Sequence, residues 1–468
     1  MGAGMADLET RMRLTCFKAY DIRAKLGADF NEDTAYRIGR SVAETLEASQ
    51  VVIGFDARET SPTLAEAAAR GVRAAGADVL DIGLSGTEEM YWAVTSQKAC
   101  VGIEVTASHN PIDYNGMKIV KRGSKPLSAK EFRAIQKLAE CGRFSATSRE
   151  GNVLQRAAEA RRAYVEKLMH FVTLKNLKPL KIVVNAGNGA AGPSFDALAD
   201  GLSASGVSAE FIRVHHAPDA TFPNGIPNPL LPENHFKTAD VVRRDGADFG
   251  VAFDGDFDRC FLFDGDGDFV PGEYVIGLLA EAYLAKEPGA KIVHDPRVMW
   301  NTVESITRAG GEPVVSKTGH AFIKQRMREV NAIYGGEISA HHYFRDFAYC
   351  DSGMIPWLLI WELLSTSQKS LRALLEDARA RFPSSGEINF VVEDAGACLA
   401  QAVEVFGETA LSIDHLDGVS IAHKDWRMNL RKSNTEPLVR LNVETRGDRD
   451  LLEEKTATLS KFIRGVHA

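Results

Sequence analysis

Cysteine is scarce: six residues in 468, namely Cys16, Cys100, Cys141, Cys260, Cys350 and Cys398, with no Cys-x-x-Cys pair among them. That scatter excludes a zinc knuckle and a disulfide framework, and is the pattern of free thiols in a reducing compartment. Long hydrophobic runs are also missing. The greasiest stretch, residues 354–364, is too short to span a bilayer and carries Glu362. Residues 1–13 mix Asp7, Glu9, Arg11 and Arg13 without the apolar centre of a secretory signal. A cytoplasmic protein without a membrane span is therefore expected. Positive charge is not in surplus either, with 55 Lys and Arg against 63 Asp and Glu and a formal net charge of −8. Such a chain makes a poor nucleic-acid binder and a poor polybasic membrane binder, although an average of this kind hides any local basic site.

What remains is ordinary globular material, 45% apolar and 25% charged, which excludes disorder or coiled coil as the main state. At about 150 residues per domain the length suggests about three domains. A weak internal repeat refines this count. Residues 51–58 read as a buried strand ending in a polar turn with Asp56; a helix follows over 63–75, then a second strand over 76–83. The same order recurs from Ile182 through Asn185 and Asn188 to residues 206–214, and again from Ile292 through Asp295 to residues 310–317. Unbroken apolar strands alternating with helices predict mixed α/β sheets covered on both faces. The last part differs, with strands over 387–392, 418–423, 426–432 and 438–445 and helices over 396–407 and 448–463. Strands grouped in this way predict a small α+β domain. Charged or Pro/Ser-rich segments near 157, 268 and 382 give four expected domains: 1–157, 158–268, 269–382 and 383–468.

Four clusters carry chemistry. Thr106-Ala107-Ser108-His109-Asn110-Pro111 follows the apolar run 99–105, and Pro111 keeps Asn110 extended, so Ser108 falls on a turn at a strand end. Ser108-His109 is either a nucleophile beside a base or a polar turn whose hydroxyl caps backbone. In Asp254-Gly255-Asp256-Phe257-Asp258-Arg259, carboxylates at alternate positions of an extended chain project to one side as hard oxygen ligands suited to Mg²⁺. An EF-hand fails there, since the sixth position is Arg259 and the twelfth Gly265; the nearby run of Asp264, Asp266 and Asp268 reads as a hairpin turn. The third cluster places Glu337 and Ser339 on one side of an extended loop, as sugar-hydroxyl binding requires, and its neighbours His341 and His342 point apart rather than pairing on a metal. Finally, Arg431, Lys432, Ser433, Asn434, Thr435 and Arg440 gather hydroxyls, an amide and guanidinium forks in one loop, either a phosphate cradle or a solvated charged turn.

In order and rough spacing, these motifs from Tyr20 to Arg440 resemble the α-D-phosphohexomutase superfamily, in particular its bacterial phosphomannomutase/phosphoglucomutase members. The resemblance implies four domains around a central cleft, the first three sharing one mixed-sheet α/β topology. It implies that Ser108 carries a phosphoryl group and, with Asp254, Asp256 and Asp258, binds Mg²⁺, and that Arg259 lies beside that metal loop. His109 and Lys118 become candidates for proton transfer. Tyr20 and Arg23 match an N-terminal segment entering the active site, and Thr318, Gly319 and His320, after Lys317, match a substrate-binding loop of the third domain. Glu337 and Ser339, with His341 beside them, match the sugar loop; Arg431, Ser433, Asn434, Thr435 and Arg440 match the phosphate-binding loop. Arg297 stands where a lysine is common. Two further departures are Ala24, where Gly is frequent after the Asp-Ile-Arg run, and the sequence Gly-Glu-Ile-Ser-Ala at 336–340, where a Met and often a second Gly are familiar.

The implied activity is reversible transfer between the 1- and 6-positions of a hexose phosphate, mannose and/or glucose, through a phosphoserine and a hexose 1,6-bisphosphate intermediate that also serves as activator. The implied partner is a small phosphosugar, with no nucleic acid or membrane, and the implied state is a monomer or dimer. A Mg²⁺-dependent phosphatase with a serine nucleophile and a non-catalytic sugar-phosphate binder are the alternatives; phosphoglucosamine mutase is the nearest one within the superfamily.

Overall fold

The computed structural model describes residues 12–432 and 438–465. Two compact units emerge, one of residues up to 268 together with 346–366, the other of 269–345 together with the chain from 367 onward. Residues 346–366, inside the span expected to form the third domain, thus pack with the first unit.

Three times the chain builds the same β-α-β-α-β-β motif. Its first strand is central: Gln50–Phe55, Lys181–Asn185 and Lys291–His294. The second strand, Asp78–Leu84, Glu210–Val214 or Glu312–Val315, pairs parallel on one side. The third, Val101–Val105, Phe249–Phe253 or Tyr334–Gly336, pairs parallel on the other. A fourth then returns antiparallel to the third: Tyr114–Lys121, Cys260–Phe263 or His342–Phe344. Every residue of Val101–Val105 and Phe249–Phe253 is buried, Glu104 included, which is why these strands read as nearly continuous apolar runs rather than alternating ones. The first sheet gains an outer antiparallel strand, Ile22–Lys25, and a parallel one, Val153–Gln155. All three sheets are mixed, as expected.

The repeat fixes where chemistry can sit. The turn from third to fourth strand holds Ser108 in the first motif, the Asp triplet in the second, and Glu337 with Ser339 in the third. The loop after the first strand, beginning at Asp56, Ala186 or Asp295, lies at the same carboxyl end of its sheet.

The last domain is an all-antiparallel sheet in the order Ser384–Val391, Leu438–Thr445, Trp426–Lys432, Val419–Ala422, Ser412–Asp414, with helices Ala395–Phe406 and Arg449–Gly465. Its core is the apolar face of that sheet, including Ile421, Met428, Leu430, Leu441 and Val443, closed by Leu459 and Ile463 of the final helix. The residues 264–268 form the expected turn: Asp264 is buried and its carboxylate accepts from the Asp266 and Asp268 amides. Among the described residues no helix is long and apolar enough to cross a membrane. Residues 354–364 lie in a helix, Met354–Ser367, nearly all of it buried within the first unit.

Candidate active site

In the first unit Ser108 is 5% exposed and has φ of +48°. A left-handed turn at a non-glycine residue is costly and persists only where its surroundings enforce it. Here they are explicit. The Ser108 amide donates to Thr106 Oγ1 at 2.8 Å, and that hydroxyl donates to Asp56 Oδ2 at 2.7 Å. Below the turn, Arg58, 2% exposed, donates to four carbonyls of the loop: Ser108 at 3.0 Å, Asn110 at 2.6 Å, Pro111 at 2.9 Å and Tyr114 at 3.1 Å. Gly255 makes the same loop possible from the other side, since a Cβ there would come within 2.5 Å of the Ser108 carbonyl oxygen.

The turn aims the hydroxyl. Ser108 Oγ donates to Asp254 Oδ2 at 2.6 Å and lies 3.0 Å from His109 Nδ1, so the two adjacent side chains do meet. Arg259 is buried and sends Nε and Nη2 to the same Asp254 oxygen at 2.9 and 2.7 Å, while Nη2 also donates to His109 Nδ1. A guanidinium donor on Nδ1 makes that nitrogen an acceptor, which places the ring proton on Nε2. Loss of water around the ring, then the Arg259 charge, lowers the His109 pKa to about 4 against the pull of Asp254, even though the side chain is 41% exposed. His109 is neutral.

Lys118, 5% exposed on Tyr114–Lys121, places Nζ 2.7 Å from Asp256 Oδ2 and also donates to Asp258. Burial works against its charge, but the two carboxylates push its pKa upward, so it is an ammonium. Burial likewise works against ionised Asp254, yet Arg259 holds it well below the ordinary carboxylate range. The three Asp side chains bring one oxygen each within 4.8 Å of one another. Oδ1 of Asp254 and of Asp256 are buried without a hydrogen-bond partner. Buried carboxylate oxygens with lone pairs to spare are what a hard divalent cation takes, so the residues present fit Mg²⁺. Thr87, first residue of helix Thr87–Ser96, fixes Asp256 by donating its hydroxyl to Oδ2 at 2.5 Å and its amide to the carbonyl at 3.1 Å. Arg23, on Ile22–Lys25, donates to Asn110 Oδ1 at 3.0 Å, which ties it to the Ser108 loop; Tyr20 precedes that strand, half-buried.

In the second unit Arg297, 3% exposed, meets Asp295 Oδ2 at 2.6 Å and Ser339 Oγ at 3.3 Å, with Glu337 at 3.8 Å. Glu337 accepts from the Gly319 amide at 2.7 Å and from the Tyr343 hydroxyl. Gly319 has φ of +122°, a conformation open to glycine alone, and it starts helix His320–Val330; Thr318 stands half-buried beside it. The His320 and His341 rings are 6.5 Å apart, whereas His342 turns into the core and meets the Tyr334 hydroxyl at 2.7 Å, so the two neighbouring imidazoles do point apart. Arg431 and Arg440 face each other across two strands. Ser433, Asn434 and Thr435 lie outside the described residues.

The sequence reading missed Arg58, Asp56, Thr106 and Thr87. A signal for the first two existed in the repeat. Asp56-Ala57-Arg58 and Asp295-Pro296-Arg297 occupy the same loop of two motifs, and in each the Asp accepts from the Arg amide two residues on, at 3.1 and 2.9 Å. In each, too, that loop steadies the next functional turn, Arg58 through the Ser108 loop and Asp295 through the Ile338 amide at 2.9 Å.

A serine on a strained turn and a buried acidic triplet, each at the carboxyl end of a repeated α/β sheet, are the arrangement of a phosphoryl-transfer enzyme of the phosphohexomutase type. Residues 14–145, 162–267, 271–382 and 387–459 match, respectively, the alpha/beta/alpha domains I, II and III and the C-terminal domain described as phosphoglucomutase/phosphomannomutase. A phosphomannomutase of Salmonella typhimurium is 57% identical over 448 residues, 96% of this chain and 98% of the relative. A protein named for phosphohexose mutases, from Xanthomonas campestris, is 54% identical over 97% of this chain and its own full length. A phosphoglucomutase/phosphomannomutase family protein of Burkholderia thailandensis superposes with a TM-score of 0.83 at 31% identity, covering 96% of this chain and 97% of its own. The chain belongs to the phosphoglucomutase/phosphomannomutase family of the α-D-phosphohexomutase superfamily. It is a hexose-phosphate mutase, an isomerase.

Proposed function

We propose that Ser108, as its phosphoserine, donates a phosphoryl group to the free hydroxyl of a hexose 1- or 6-phosphate, and that the resulting hexose 1,6-bisphosphate turns over and returns its other phosphate to Ser108. In each half the bond from phosphorus to one oxygen breaks as the bond to the other forms, and the hydroxyl proton must be moved. The observation that carries this reading is the Ser108 hydroxyl, 2.6 Å from Asp254 on an enforced left-handed turn, with His109 3.0 Å away, Arg259 on the same Asp254 oxygen and Lys118 on the neighbouring Asp256 and Asp258. Phosphoryl transfer asks a protein mainly for alignment and charge neutralisation. Arg259 supplies charge beside the reacting oxygens. Neutral His109, whose one basic lone pair is the Nδ1 on which Arg259 donates, and ammonium Lys118, which is in acid form, are the two candidates for moving the hydroxyl proton. Asp254, Asp256, Asp258 and Ser108 would hold Mg²⁺, which when bound supplies Lewis-acid neutralisation of phosphoryl oxygens. Tyr20, Arg23, Arg297, Thr318, Gly319, His320, Glu337, Ser339 and His341 bind the sugar, and Arg431, Ser433, Asn434, Thr435 and Arg440 hold the phosphate that is not reacting. The six cysteines are all free thiols, in keeping with a cytoplasmic setting.

A coupled assay with mannose 1-phosphate, glucose 1-phosphate and glucosamine 1-phosphate, with and without a trace of hexose 1,6-bisphosphate, tests this. Mannose and/or glucose phosphates are the expected substrates, and Ser108→Ala is expected to abolish their isomerisation. Full activity in that variant, or steady release of inorganic phosphate without isomerised product, would overturn the reading.

A further inference from the structure

Strand pleating puts three charges on one face of the last sheet. Arg431 pairs directly with Arg440, and like charges so placed repel. Glu387 pairs with Asn442, two residues beyond Arg440 and therefore on the same side as both arginines. The side chains follow the pleat: Glu387 Oε2 lies 3.0 Å from Arg431, Oε1 lies 3.3 Å from Arg440, and Oε2 lies 3.6 Å from Arg297. One carboxylate thus meets all three guanidinium groups. Burial works against its charge, but Arg297, Arg431 and Arg440 hold its pKa below the ordinary glutamate value. The Arg431 pKa is lowered too, by burial first and then by Arg297, so its surroundings favour the carboxylate charge and work against the guanidinium charge.

We infer that Glu387 is a resident counter-anion of the phosphate cradle: it keeps the guanidinium groups assembled when no phosphate is bound, and it holds down their affinity for a phosphate dianion so that the sugar can leave and re-enter between the two transfers. This rests on the proposed role of Arg431 and Arg440 in binding phosphate. A carboxylate a few ångströms from the ligand charge opposes dianion binding, and the uncharged isostere removes that opposition while keeping an acceptor for one arginine. A reaction whose intermediate must reorient gains nothing from a cradle that grips too hard, because ground-state binding alone does not raise turnover.

The test is competitive inhibition of the full-length mutase by inorganic phosphate at fixed ionic strength, in four proteins. Relative to the wild type, Glu387→Gln is expected to lower the inhibition constant about threefold to tenfold and to lower KM and kcat together. Asn389→Asp adds a carboxylate at an exposed position directly across from Arg440, and is expected to raise the inhibition constant severalfold even if Glu387→Gln does not fold. Arg431→Ala is expected to raise it about tenfold or more. An inhibition constant for Glu387→Gln that is unchanged or raised, while Arg431→Ala weakens inhibition, would overturn the inference and leave the cradle standing. For Asn389→Asp, no change would likewise overturn it. If Arg431→Ala has no effect, the cradle reading fails and the inference falls with it.

Discussion

The backbone of the Ser108 turn is held by Thr106, Asp56 and Arg58, and Arg58 makes the most contacts among them. Its fork matches carbonyls that point in different directions, a task that an ammonium of equal charge performs poorly. Arg58→Lys is therefore expected to lower kcat about tenfold or more with KM within about twofold, because the loss falls on alignment of the phosphoryl group and not on the hold on the sugar. Steady-state kinetics on a variant with retained thermal stability checks this; equal losses in KM would count against it. His342 yields a second expectation. It is buried against Tyr334 and its pKa is lowered to about 3, by burial first and then by His341. The folded ring stays neutral while the unfolded ring, with a pKa near ~6.5, takes up a proton. Its contribution to stability is thus present above about pH 6.5 and lost as pH falls from there toward 3, by at most about 1.4 kcal/mol per pH unit. The melting temperature of His342→Gln should fall less steeply than that of the wild type over this range. At this scale the sequence showed Ser108 and the Asp triplet, because a serine at a strand end and carboxylates at alternate positions have local signatures. It did not show Arg58 or Thr87, whose partners lie 50 to 169 residues away in the chain. The Ala340 departure from the familiar glycine also acquires a physical meaning, since Ala340 adopts φ of +70° in the loop that carries Glu337 and Ser339.

Among elements, the β-α-β-α-β-β repeat was legible in its first half and not in its second. Strand, polar loop, helix and strand recur visibly in residues 51–83, but the antiparallel return strand could not be told from other apolar runs without its partner. Boundaries moved for local reasons. The first of these helices begins at Ser61, not 63, because Pro62 fits a first helical turn, and the following strand starts at Asp78 because Gly76 turns the chain at φ of +89°. The helix Met354–Ser367 carries one buried acid, Glu362, which accepts from the Thr173 amide at 2.9 Å and Asn176 Nδ2 at 3.1 Å. That pairing ties the helix to the short turn Leu174–Asn176 that follows helix Ala157–Met169. Glu362→Ala strands a backbone donor there and is expected to cost about 1–3 kcal/mol, read from the denaturation midpoint, with the catalytic constants of the folded enzyme unchanged. A variant as stable as the wild type would show that the contact contributes little.

Over the whole molecule, the net charge of −8 coexists with local sites built from arginine and lysine. Charge is largely offset within each: Lys118 and Arg259 meet the Asp triplet in the first unit, leaving one carboxylate in excess, and Glu387 and Asp295 meet Arg297, Arg431 and Arg440 in the second, leaving one guanidinium in excess. Counting charges along the chain could not find such sites, since each joins residues from distant motifs. The fold's repeat explains why the serine, the Asp triplet and the Glu337–Ser339 loop appear in a fixed order, each on the same turn of successive sheets. The account turns on one event, the movement of a phosphoryl group between Ser108 and the sugar. Enzyme carrying a labelled phosphoryl group on Ser108, mixed with unlabelled hexose 1-phosphate, tests it most directly. The label should leave the protein and appear in hexose phosphate and bisphosphate within the turnover time. Label that stays on Ser108 through many turnovers, or that leaves only as inorganic phosphate, would contradict the account.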